Sequence, residues 1–569
     1  MVGHWFGAIS RGVLSMFGKS RILGITSPAA FLFSIASLLL MAYPAFANDI
    51  YIAQAATGAG NGSSCANALA YTYFNVGGNW TSGTPSGAQI GPGSTVHVCG
   101  TITVSANTNA LTFQGSGTST SPVTLYFESG AVLASPEWPP QSTNGAINAS
   151  NQNYIVINGN GGAGGATQGI IEATATGDSG AACLSGSCTY HNDSNGIEAD
   201  SSNNLTVEGL SIIDMYVTAT GVPSGGGGSC IWGHGSSSNW TITQNLMHDV
   251  SWCINLQFDS GTSSGITISK NEIYNIDHGI AIGGPASGNT LSNLNVYGNY
   301  IHDYSNWDTP GDVWHHDGIH VWGFNDNGSD SINGVNIYSN KFGGCVGQNV
   351  TAHVFMEANA GNTKNVAIFN NTLIDTCNGN DGNGLLTTGQ DGGYLIYNNT
   401  FIGTSGDTCV GTSSSPNVTF VNNVVSGCGT LQYVASGGGF ASGGLHNNIY
   451  ANCTSSNCFA YSGSYTGSFS TWQSDSGQDA SPSTYVASAN LSATGVPQTG
   501  SAAIGAGTNL TTVAASLVNS LGAALNALDS DITGNPRPPT GTWTAGAYSS
   551  TSSSSGPPPP TNLTNTVIQ

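Results

Sequence analysis

Positive charge is almost absent from this chain of 569 residues, which contains 7 lysines and arginines against 29 aspartates and glutamates. Three of these cations precede residue 22, and the remaining four are Lys270, Lys341, Lys364 and Arg537. Four cations against 29 acids give the chain after its first segment a net charge of −25. Proteins bind nucleic acids by neutralising phosphates with lysine and arginine, so this balance excludes nucleic acid as a partner.

Long hydrophobic runs are lacking as well, apart from one stretch from Ala29 to Tyr43. This stretch follows the three early cations and precedes a small-x-small motif at residues 45–47. The order predicts a secretory signal over residues 1–47. A retained membrane anchor is the alternative, although the run is short for a membrane-spanning helix. We therefore expect a secreted, extracellular protein that is not an integral membrane protein once the signal is removed.

Cysteine pairs with the spacing of metal sites are missing. No Cys-x-x-Cys occurs, which argues against the alternative of a zinc site. The chain contains 12 cysteines, an even number that predicts disulfides and few free thiols in an exported protein. Connectivity cannot be deduced, but the spacing favours consecutive pairs. The candidate pairs are Cys65–Cys99, Cys183–Cys188, Cys230–Cys253, Cys345–Cys377, Cys409–Cys428 and Cys453–Cys458.

A short segment with alternating hydrophobic residues and a final asparagine recurs from about residue 204 to residue 449. Seven copies align: NWTITQN, GITISKN, NLNVYGN, GVNIYSN, NVAIFNN, GYLIYNN and NVTFVNN. Their last residues form one column, which is Asn245, Asn271, Asn299, Asn340, Asn371, Asn399 and Asn423. Leu210 occupies this column in an earlier segment, and Asn448 continues it. The regular recurrence indicates a repeat architecture with loops of different length inserted.

Stacked coils explain this repeat well. In the first copy Trp240 and Ile242 point to one side while Thr241 and Thr243 point to the other, as a strand requires. One such strand cannot bury its apolar side alone, whereas stacked copies bury a continuous core. An asparagine at each corner can bond the coils above and below, and it tolerates a left-handed backbone. The pattern predicts a parallel β-helix of roughly ten coils with an external asparagine ladder. Turns of a β-sandwich are the alternative.

The repeat resembles that of the right-handed parallel β-helix proteins of the pectate-lyase-like superfamily, in particular the bacterial secreted type. DIYIAQAATGAG, IGPGSTVHVCGTITV and PVTLYFESGAVL resemble the first part of such proteins, and SAAIGAG with DITGNPRPPTGTWTAGAY resembles their closing segment. The resemblance covers about residues 49–548. It implies an all-β fold, a right-handed parallel β-helix with terminal caps. It implies little about function, because this fold hosts lyases, hydrolases, epimerases, adhesins and phage tailspikes.

We expect one long solenoid whose ends are covered. Residues 48–150 would form the N-terminal cap and first coils, 151–460 the body, and 461–548 the last coils and C-terminal cap. The stretch LTTVAASLVNSLGAALNAL predicts a helix over the far end. Residues 549–569 are expected to be a Ser/Pro-rich linker followed by the start of a missing or disordered module.

A second strand of each coil carries polar and aromatic residues on one side. It follows the pattern Gly-apolar-x-apolar-x, and its third and fifth residues are expected to face away from the core. These residues, which we call the stripe, are Glu198 and Asp200, Trp232 and His234, Asn255 and Gln257, Ala281 and Gly283, His320 and Trp322, Phe355 and Glu357, and Leu386 and Thr388. A slip of one residue in register would turn them inward.

The stripe suits a sugar polymer, because tryptophans stack on pyranose rings while amides and carboxylates bond hydroxyl groups. The small Ala281 and Gly283 are expected to leave room at its middle. A solvated sheet face with a few aromatic residues is the alternative. The candidate substrate-binding residues are Trp322, Trp232, Trp314, Asn255, Gln257, His234, Glu198 and Asp200.

The densest group of ionisable residues is WHHDGIHVW at residues 314–322, after the longest insertion in the stack. Asp317 is expected to be level with His278 one coil below, and Asp277 to lie near His316. Histidines and carboxylates on adjacent coils can act as general acid and base, with neighbours shifting the pKa of Asp317 or His316 toward working pH. The candidate catalytic residues are Asp317, His316, His320, His278 and Glu357.

The segment HHDGIH resembles the Asp-Gly-Ile active-site segments of related β-helix enzymes. The neighbouring parts of the polygalacturonase pattern are missing, so that mechanism is not carried over. His315, His316 and His320 could bind a metal, yet a hydrogen-bonded structural role explains them equally well. The sequence therefore assigns no metal ligand.

Acid/base cleavage of an extracellular polysaccharide by a secreted, carbohydrate-active protein is the leading functional prediction. Two carboxylates about 5 to 10 Å apart beside the stripe would favour it. A non-catalytic glycan-binding or adhesin-type β-helix is the first alternative. A polysaccharide lyase is the second alternative. No lysine of this chain falls in the stripe, where a lyase would use it as the base. A histidine base with Ca²⁺ held by aspartate and glutamate stays open. We expect no other cofactor, and we expect a monomer.

Overall fold

The computed structural model describes residues 48–549 apart from short internal segments. The segments left out are 141–142, 162–166, 176–189, 191–192, 216–227, 284–287, 305–314, 324–330, 347–349, 358–362, 378–383, 390–392, 414–416 and 525. The predicted signal, the tail from residue 550 on, Cys183, Cys188 and Trp314 lie outside the described residues.

Strands of successive coils pair in parallel, and the chain winds as a right-handed parallel β-helix. One sheet has 14 strands, and a 24-stranded sheet wraps around the rest of each coil. The inward side chains of both sheets form a continuous hydrophobic core that extends from Ile50 to Trp472. The all-β solenoid predicted from the repeat is therefore confirmed.

The strands are short, because each spans only part of one coil. The first coils contain β1 (Asn48–Ala53), β2 (Leu69–Ala70), β3 (Ser94–Val98), β4 (Thr101–Thr103), β5 (Leu111–Thr112), β6 (Val123–Phe127), β7 (Val132–Ser135) and β8 (Ile147–Asn148). Three 3-10 helices accompany them, at Cys65–Asn67, Tyr71–Tyr73 and Gly77–Asn79.

The middle coils carry the longest strands, and two of these follow the chain around a bend. Their strands are β9 (Asn153–Asn158), β10 (Gly169–Ala173), β11 (Asn195–Glu198), β12 (Asn203–Glu208), β13 (Leu210–Ile213), β14 (Ser229–His234), β15 (Thr241–Thr243), β16 (Leu246–Gln257), β17 (Thr262–Ser269), β18 (Glu272–Gly283), β19 (Thr290–Tyr297), β20 (Tyr300–His302), β21 (His316–Trp322), β22 (Ser331–Tyr338), β23 (Lys341–Gly343) and β24 (Val350–Glu357).

Shorter strands complete the stack. They are β25 (Thr363–Phe369), β26 (Thr372–Ile374), β27 (Gly384–Thr388), β28 (Tyr394–Tyr397), β29 (Thr400–Ile402), β30 (Thr408–Thr412), β31 (Val418–Val421), β32 (Val424–Ser426), β33 (Thr430–Val434), β34 (Phe440–His446), β35 (Ile449–Ala451), β36 (Phe459–Tyr461), β37 (Ser464–Thr466) and β38 (Thr484–Val486).

The asparagine column forms a hydrogen-bonded ladder at one corner of the coils. Asn271 Nδ2 donates to Asn299 Oδ1 at 2.9 Å, and Asn299 Nδ2 donates to Asn340 Oδ1 at 3.0 Å. The same nitrogen of Asn299 also donates to the backbone carbonyl of Ile268 at 3.0 Å. Each amide thus connects its own coil with the next coil, which is the role predicted for this column.

The ladder is internal, so its predicted external position is wrong. Its asparagines are at most 1% exposed, because every amide group is used within the coils and none is left for water. The left-handed backbone also occurs one position earlier than expected. Lys270 (φ 56°), Gly298 (φ 67°) and Ser339 (φ 53°) each directly precede a ladder asparagine.

Two α-helices accompany the last part of the chain. Helix α1 (Phe469–Ser476) buries Trp472 against Phe459 of the last coils, with their ring centroids 5.5 Å apart. Helix α2 (Thr511–Leu521) packs instead on the outer side of the 14-stranded sheet, in an apolar cluster that includes Tyr338. Outward aromatic residues give α2 this docking place, so its predicted position over the far end is wrong. Neither helix, nor any other in the described chain, has the length and apolarity to span a membrane.

Four predicted disulfides are present: Cys65–Cys99, Cys345–Cys377, Cys409–Cys428 and Cys453–Cys458. Cys230 and Cys253 are instead buried free thiols whose sulfur atoms lie 3.3 Å apart, so the disulfide predicted between them is wrong. They lie side by side on β14 and β16. Their sulfur separation is well beyond the bond length of about 2.05 Å in a disulfide, so no bond joins them.

The register of the stacked strands follows the predicted stripe from Glu198 to Phe355. In β27, however, Thr387 is level with Phe355, while Leu386 and Thr388 face the core. The outward assignment of these last two residues is therefore wrong by one position. Two consecutive leucines precede Thr387, and they give no alternation that would fix the register.

Candidate functional site

Strands β18, β21 and β24 bring the predicted histidines and carboxylates together. His278 on β18 is directly level with Asp317 on β21, as expected. His320, three residues further along β21, contacts Glu357 of β24. His315 lies just before β21. We call His278, His315, Asp317, His320 and Glu357 the central cluster.

Asp317 is the centre of this cluster and is completely buried. Its Oδ2 atom lies 2.5 Å from His315 Nδ1, 3.4 Å from His278 Nε2 and 3.7 Å from His320 Nδ1. Its Oδ1 atom accepts a hydrogen bond from the backbone N–H of Ala352 at 3.0 Å, which fixes the carboxylate. Three imidazole rings therefore converge on one carboxylate oxygen.

Two of these imidazoles are held on their far side by a second carboxylate. Asp277 contacts His278 Nδ1, and Glu357 Oε2 lies 3.0 Å from His320 Nε2. The opposite ring nitrogens, His278 Nε2 and His320 Nδ1, are buried, lack a well-formed hydrogen bond and face Asp317. Each ring is thereby oriented with one nitrogen toward the centre of the cluster.

The electrostatics at the centre are governed by opposite charges in close contact. Burial lowers the pKa of His278, but the carboxylates of Asp277 and Asp317 outweigh burial and raise that pKa to about 9. Burial also raises the pKa of Asp317, yet the nearby imidazoles of His278, His315 and His320 outweigh burial and lower that pKa to about 2. The expectation that neighbours shift Asp317 toward working pH is therefore wrong. Its imidazole partners keep this carboxyl group ionised at neutral pH.

Two side chains of the central cluster are open to solvent among the residues that the structure describes. The side chains of Glu357 and His315 are 43% and 38% exposed. A hydrogen bond from His320 lowers the pKa of Glu357. Burial lowers the pKa of His320, which favours its neutral ring. Glu357 and His315 are thus the members of the cluster that a substrate in solution can reach.

Aromatic rings line this exposed side. The ring of His320 stacks on Phe355 with centroids 4.9 Å apart and lies 4.8 Å from Trp322. The indole of Trp322 covers Gly283, where an added β-carbon would be only 2.6 Å from the ring. The room expected at the middle of the stripe is therefore occupied by Trp322 itself.

His316 does not join the central cluster. It is completely buried, and its Nε2 atom lies 4.0 Å from Asp277 Oδ2, because the register shifts directly after His316. His315 takes the position beside the central carboxylate. Sequence reasoning also missed Trp252, whose ring stacks on His278 at 4.1 Å. Trp252 is level with His278 on the neighbouring strand, so the same column of residues identifies it.

The remaining predicted substrate-binding residues form a second polar cluster on β11, β14 and β16. Glu198 is 2% exposed and Trp232 is 3% exposed, so the expected outward presentation of these two residues to a glycan is wrong. Aligned side chains on neighbouring strands lie about 4.8 Å apart, and a row of large side chains therefore covers its own members. Asn255, level with Trp232, is buried in the same way.

Only the edge of this second cluster is open. His234 Nε2 lies 2.9 Å from Asp259 Oδ2, with the side chains 40% and 36% exposed. Burial raises the pKa of Asp200, although a hydrogen bond between its carboxyl group and that of Glu198 acts in the opposite direction. Gln257 is half-buried. The two clusters adjoin, because β16 of the second cluster pairs directly with β18 of the central cluster. Gln257 and Trp322 both lie against Gly283, at the junction of the two clusters.

The ligands available in the central cluster do not suit Ca²⁺. Calcium binds six to eight oxygen atoms. The group of potential ligands found among the described residues offers three imidazole nitrogens and one carboxylate, from His278, His315, Asp317 and His320. This set of donors gives no support to the calcium-dependent lyase alternative.

No protein-family model and no curated protein sequence matches the chain, whereas solved structures do match its backbone. A lacto-N-biosidase from Eubacterium ramulus is 10% identical, with a TM-score of 0.42 over 78% of this chain and 67% of that one. A mannuronan C-5 epimerase module from Azotobacter vinelandii is 13% identical, with a TM-score of 0.33 over 69% of this chain and 91% of that one. A rhamnogalacturonan lyase is 12% identical, with a TM-score of 0.35 over 65% and 87%. At these values the likeness does not indicate what this chain does.

Proposed function

We propose that this protein is a secreted, carbohydrate-active enzyme that cleaves a glycosidic bond of an extracellular polysaccharide by acid/base chemistry at the central cluster. The observation that supports this most directly is the solvent-exposed carboxylate of Glu357. His320 holds this carboxylate, and the ring of His320 lies against Trp322 and Phe355. Aromatic faces bind sugar rings, and Glu357 can reach the atoms of a sugar bound there.

Glu357 acts as the general base in this proposal, because it is open to water and its orientation is fixed. His315 is the acid that gives a proton to the leaving oxygen, since it is exposed beside Glu357 and Phe355. Asp317 is buried and acts as a positioning residue for His315. Asp317 and Glu357 both contact the ring of His320, but the buried Asp317 does not act on substrate in this proposal, so the carboxylate spacing expected from the sequence is not used here.

The setting agrees with a polysaccharide outside the cell. Four disulfides indicate an oxidising compartment. Lys270 and Lys341 directly flank ladder asparagines, and Lys364 lies on β25 of the 14-stranded sheet, so none of the three is on β18, β21 or β24. Arg537 is buried and donates to Asn370, so it is not available to a uronate. A neutral glycan therefore suits the cluster better than a polyuronate does.

The test is the release of reducing ends from a panel of polysaccharides. Wild-type protein should cleave at least one of them, and Glu357→Gln should reduce turnover by about 10² to 10⁴-fold, the contribution typical of general acid–base catalysis. Glu128→Gln is the matched control. Glu128 is also a partly exposed carboxylate paired with a histidine, His97, but it lies in the first coils.

Three outcomes would count against the proposal. Equal losses in Glu357→Gln and Glu128→Gln would point to a general effect on folding. Retention of a glycan by the wild type without any cleavage would favour the glycan-binding alternative. Unsaturated products that absorb in the ultraviolet would identify a lyase.

A further inference from the structure

We propose that the central cluster is a binding site for one divalent transition-metal ion, held by His278, His315, Asp317 and His320. This inference goes beyond the proposed reaction and does not rest on it, because metal binding is measured without substrate. The ligand atoms of the four residues lie within 4.8 Å of one another. They come from two neighbouring coils and from the residue just before β21.

The distances in the cluster suit a small ion. Metal–nitrogen bonds of about 2.0 to 2.1 Å in a tetrahedral zinc site place the ligand atoms about 3.4 Å apart. Asp317 Oδ2 lies 3.4 Å from His278 Nε2 and 3.7 Å from His320 Nδ1. His315 Nδ1 is closer, at 2.5 Å. His315 is also the exposed ligand, so it can move outward by the small amount that an ion requires.

Unsatisfied nitrogen atoms give independent support. His278 Nε2 and His320 Nδ1 are buried and lack well-formed hydrogen bonds. Leaving a buried polar atom without a partner is unfavourable. Both atoms face the carboxylate of Asp317. This carboxylate is already in contact with His315 Nδ1 and accepts a hydrogen bond from the backbone N–H of Ala352. A cation between these groups would satisfy both nitrogens at once.

The outer contacts of the same two rings follow the arrangement of metal-binding histidines. Such histidines present one nitrogen to the ion and donate the other N–H to a carboxylate, which fixes the tautomer and the ring. His278 meets Asp277 in this way, and His320 meets Glu357. The carboxylates lie on the sides of the rings that face away from Asp317, as this arrangement requires.

The donor set defines the class of ion. Imidazole suits zinc, copper, iron, nickel and cobalt, whereas calcium and magnesium prefer oxygen. Three imidazoles and one carboxylate therefore select a first-row transition ion such as Zn²⁺. A bound ion would replace His315 as the acid of the proposed reaction, and Glu357 would remain the base. It would act as a Lewis acid on the leaving oxygen in place of the His315 proton, while Glu357 stays outside its ligand shell.

Cobalt is the probe, because Co²⁺ bound by imidazole and carboxylate groups absorbs visible light. Full-length protein is stripped with a chelator, titrated with Co²⁺ and then with Zn²⁺, and analysed for metal content. We expect one equivalent of Co²⁺ with a visible spectrum, displaced by one equivalent of Zn²⁺. His315→Gln and His320→Gln should each weaken binding at least about tenfold. His315 is partly exposed, so we expect the first variant to fold like the wild type.

His248→Gln is the matched control. His248 also contacts an adjacent aspartate, Asp249, but it lies outside the cluster. It should bind Co²⁺ like the wild type. Failure of the wild type to bind Co²⁺ or Zn²⁺ would overturn the proposal, and so would equal binding by His315→Gln, His320→Gln and the wild type. Metal bound without any glycan cleavage would overturn the proposed reaction alone.

Discussion

Replacing Asn299 with alanine removes one rung from the middle of the asparagine ladder. The side-chain nitrogen of Asn299 donates to Ile268 O and to Asn340 Oδ1, and its oxygen accepts from both the backbone N–H and the side chain of Asn271. Asn271, Asn299 and Asn340 are at most 1% exposed. Alanine is too short to reach any of these partners.

The cost of this substitution follows from the groups left without partners. The N–H of Asn271 and the carbonyl of Ile268 lose their side-chain partner, whereas Asn340 Oδ1 still accepts from the backbone N–H of residue 299. Each unsatisfied buried group costs about 1 to 3 kcal/mol, so the free energy of unfolding should fall by about 2 to 6 kcal/mol.

Equilibrium unfolding in urea measures the change, and hydrogen exchange at the Asn271 amide reports it locally. Asn295→Ala is the matched control, because Asn295 lies in the same coil and makes a single side-chain bond on the half-buried outer side, to Asn336. The control should lose less than about 1 kcal/mol. Equal stability of the two variants, or unchanged exchange at Asn271, would refute the reasoning about the ladder.

Three further predictions concern other parts of the chain. Burial and the charge of Asp407 raise the pKa of Asp375 to about 6, so its stabilising effect is complete below about pH 4 and is lost as the pH rises through 6. In urea titrations Asp375→Asn should therefore be more stable than the wild type by about 1 to 3 kcal/mol at pH 8, and as stable as the wild type at pH 4. A stability difference that is the same at pH 8 and at pH 4 would contradict this. Trp322→Ala should weaken retention on an immobilised glycan about tenfold, or about 1.4 kcal/mol, and unchanged retention would exclude Trp322 from the binding surface. Chain denatured without reductant should be alkylated at Cys230 and Cys253, and a peptide containing both in a disulfide would contradict the structure.

The solenoid could be predicted from the sequence because each coil repeats one physical requirement. An asparagine such as Asn271 must satisfy the backbone of its own coil and the amide of the next, so it recurs at a fixed point after each strand. Parallel pairing then carries the register from coil to coil. Alignment of the repeated strands therefore predicts that His278 is level with Asp317, and the observed pairing of β18 with β21 confirms it.

Exposure could not be predicted in the same way. Alternation shows which side of a strand Trp232 and Trp322 occupy, but it does not show what covers that side. Trp232 is covered by its neighbours along the stack, and Trp322 covers Gly283. The sequence singled out His315 together with His316 and His320, but it could not show that His315, just before its strand, is the one that contacts the central carboxylate.

Thiol chemistry was beyond the sequence for a related reason. The spacing of Cys230 and Cys253 correctly places them on neighbouring strands. Whether two such cysteines form a disulfide depends on differences of about 1 Å between their β-carbons. Sequence spacing does not encode distances at that precision.

Burying the charged groups of the central cluster is energetically costly, and this cost supports the proposal that the cluster has a function. Taking ions such as Asp317 and protonated His278 out of water costs several kcal/mol each, and apolar replacements of buried ion pairs are often neutral or stabilising. Elsewhere the stack holds its corners with neutral amides, as at Asn299, and its interior with aliphatic side chains. Three imidazoles surround one carboxylate in the central cluster, and two inward nitrogens lack well-formed hydrogen bonds. This arrangement is the one expected of a site that binds a metal cation.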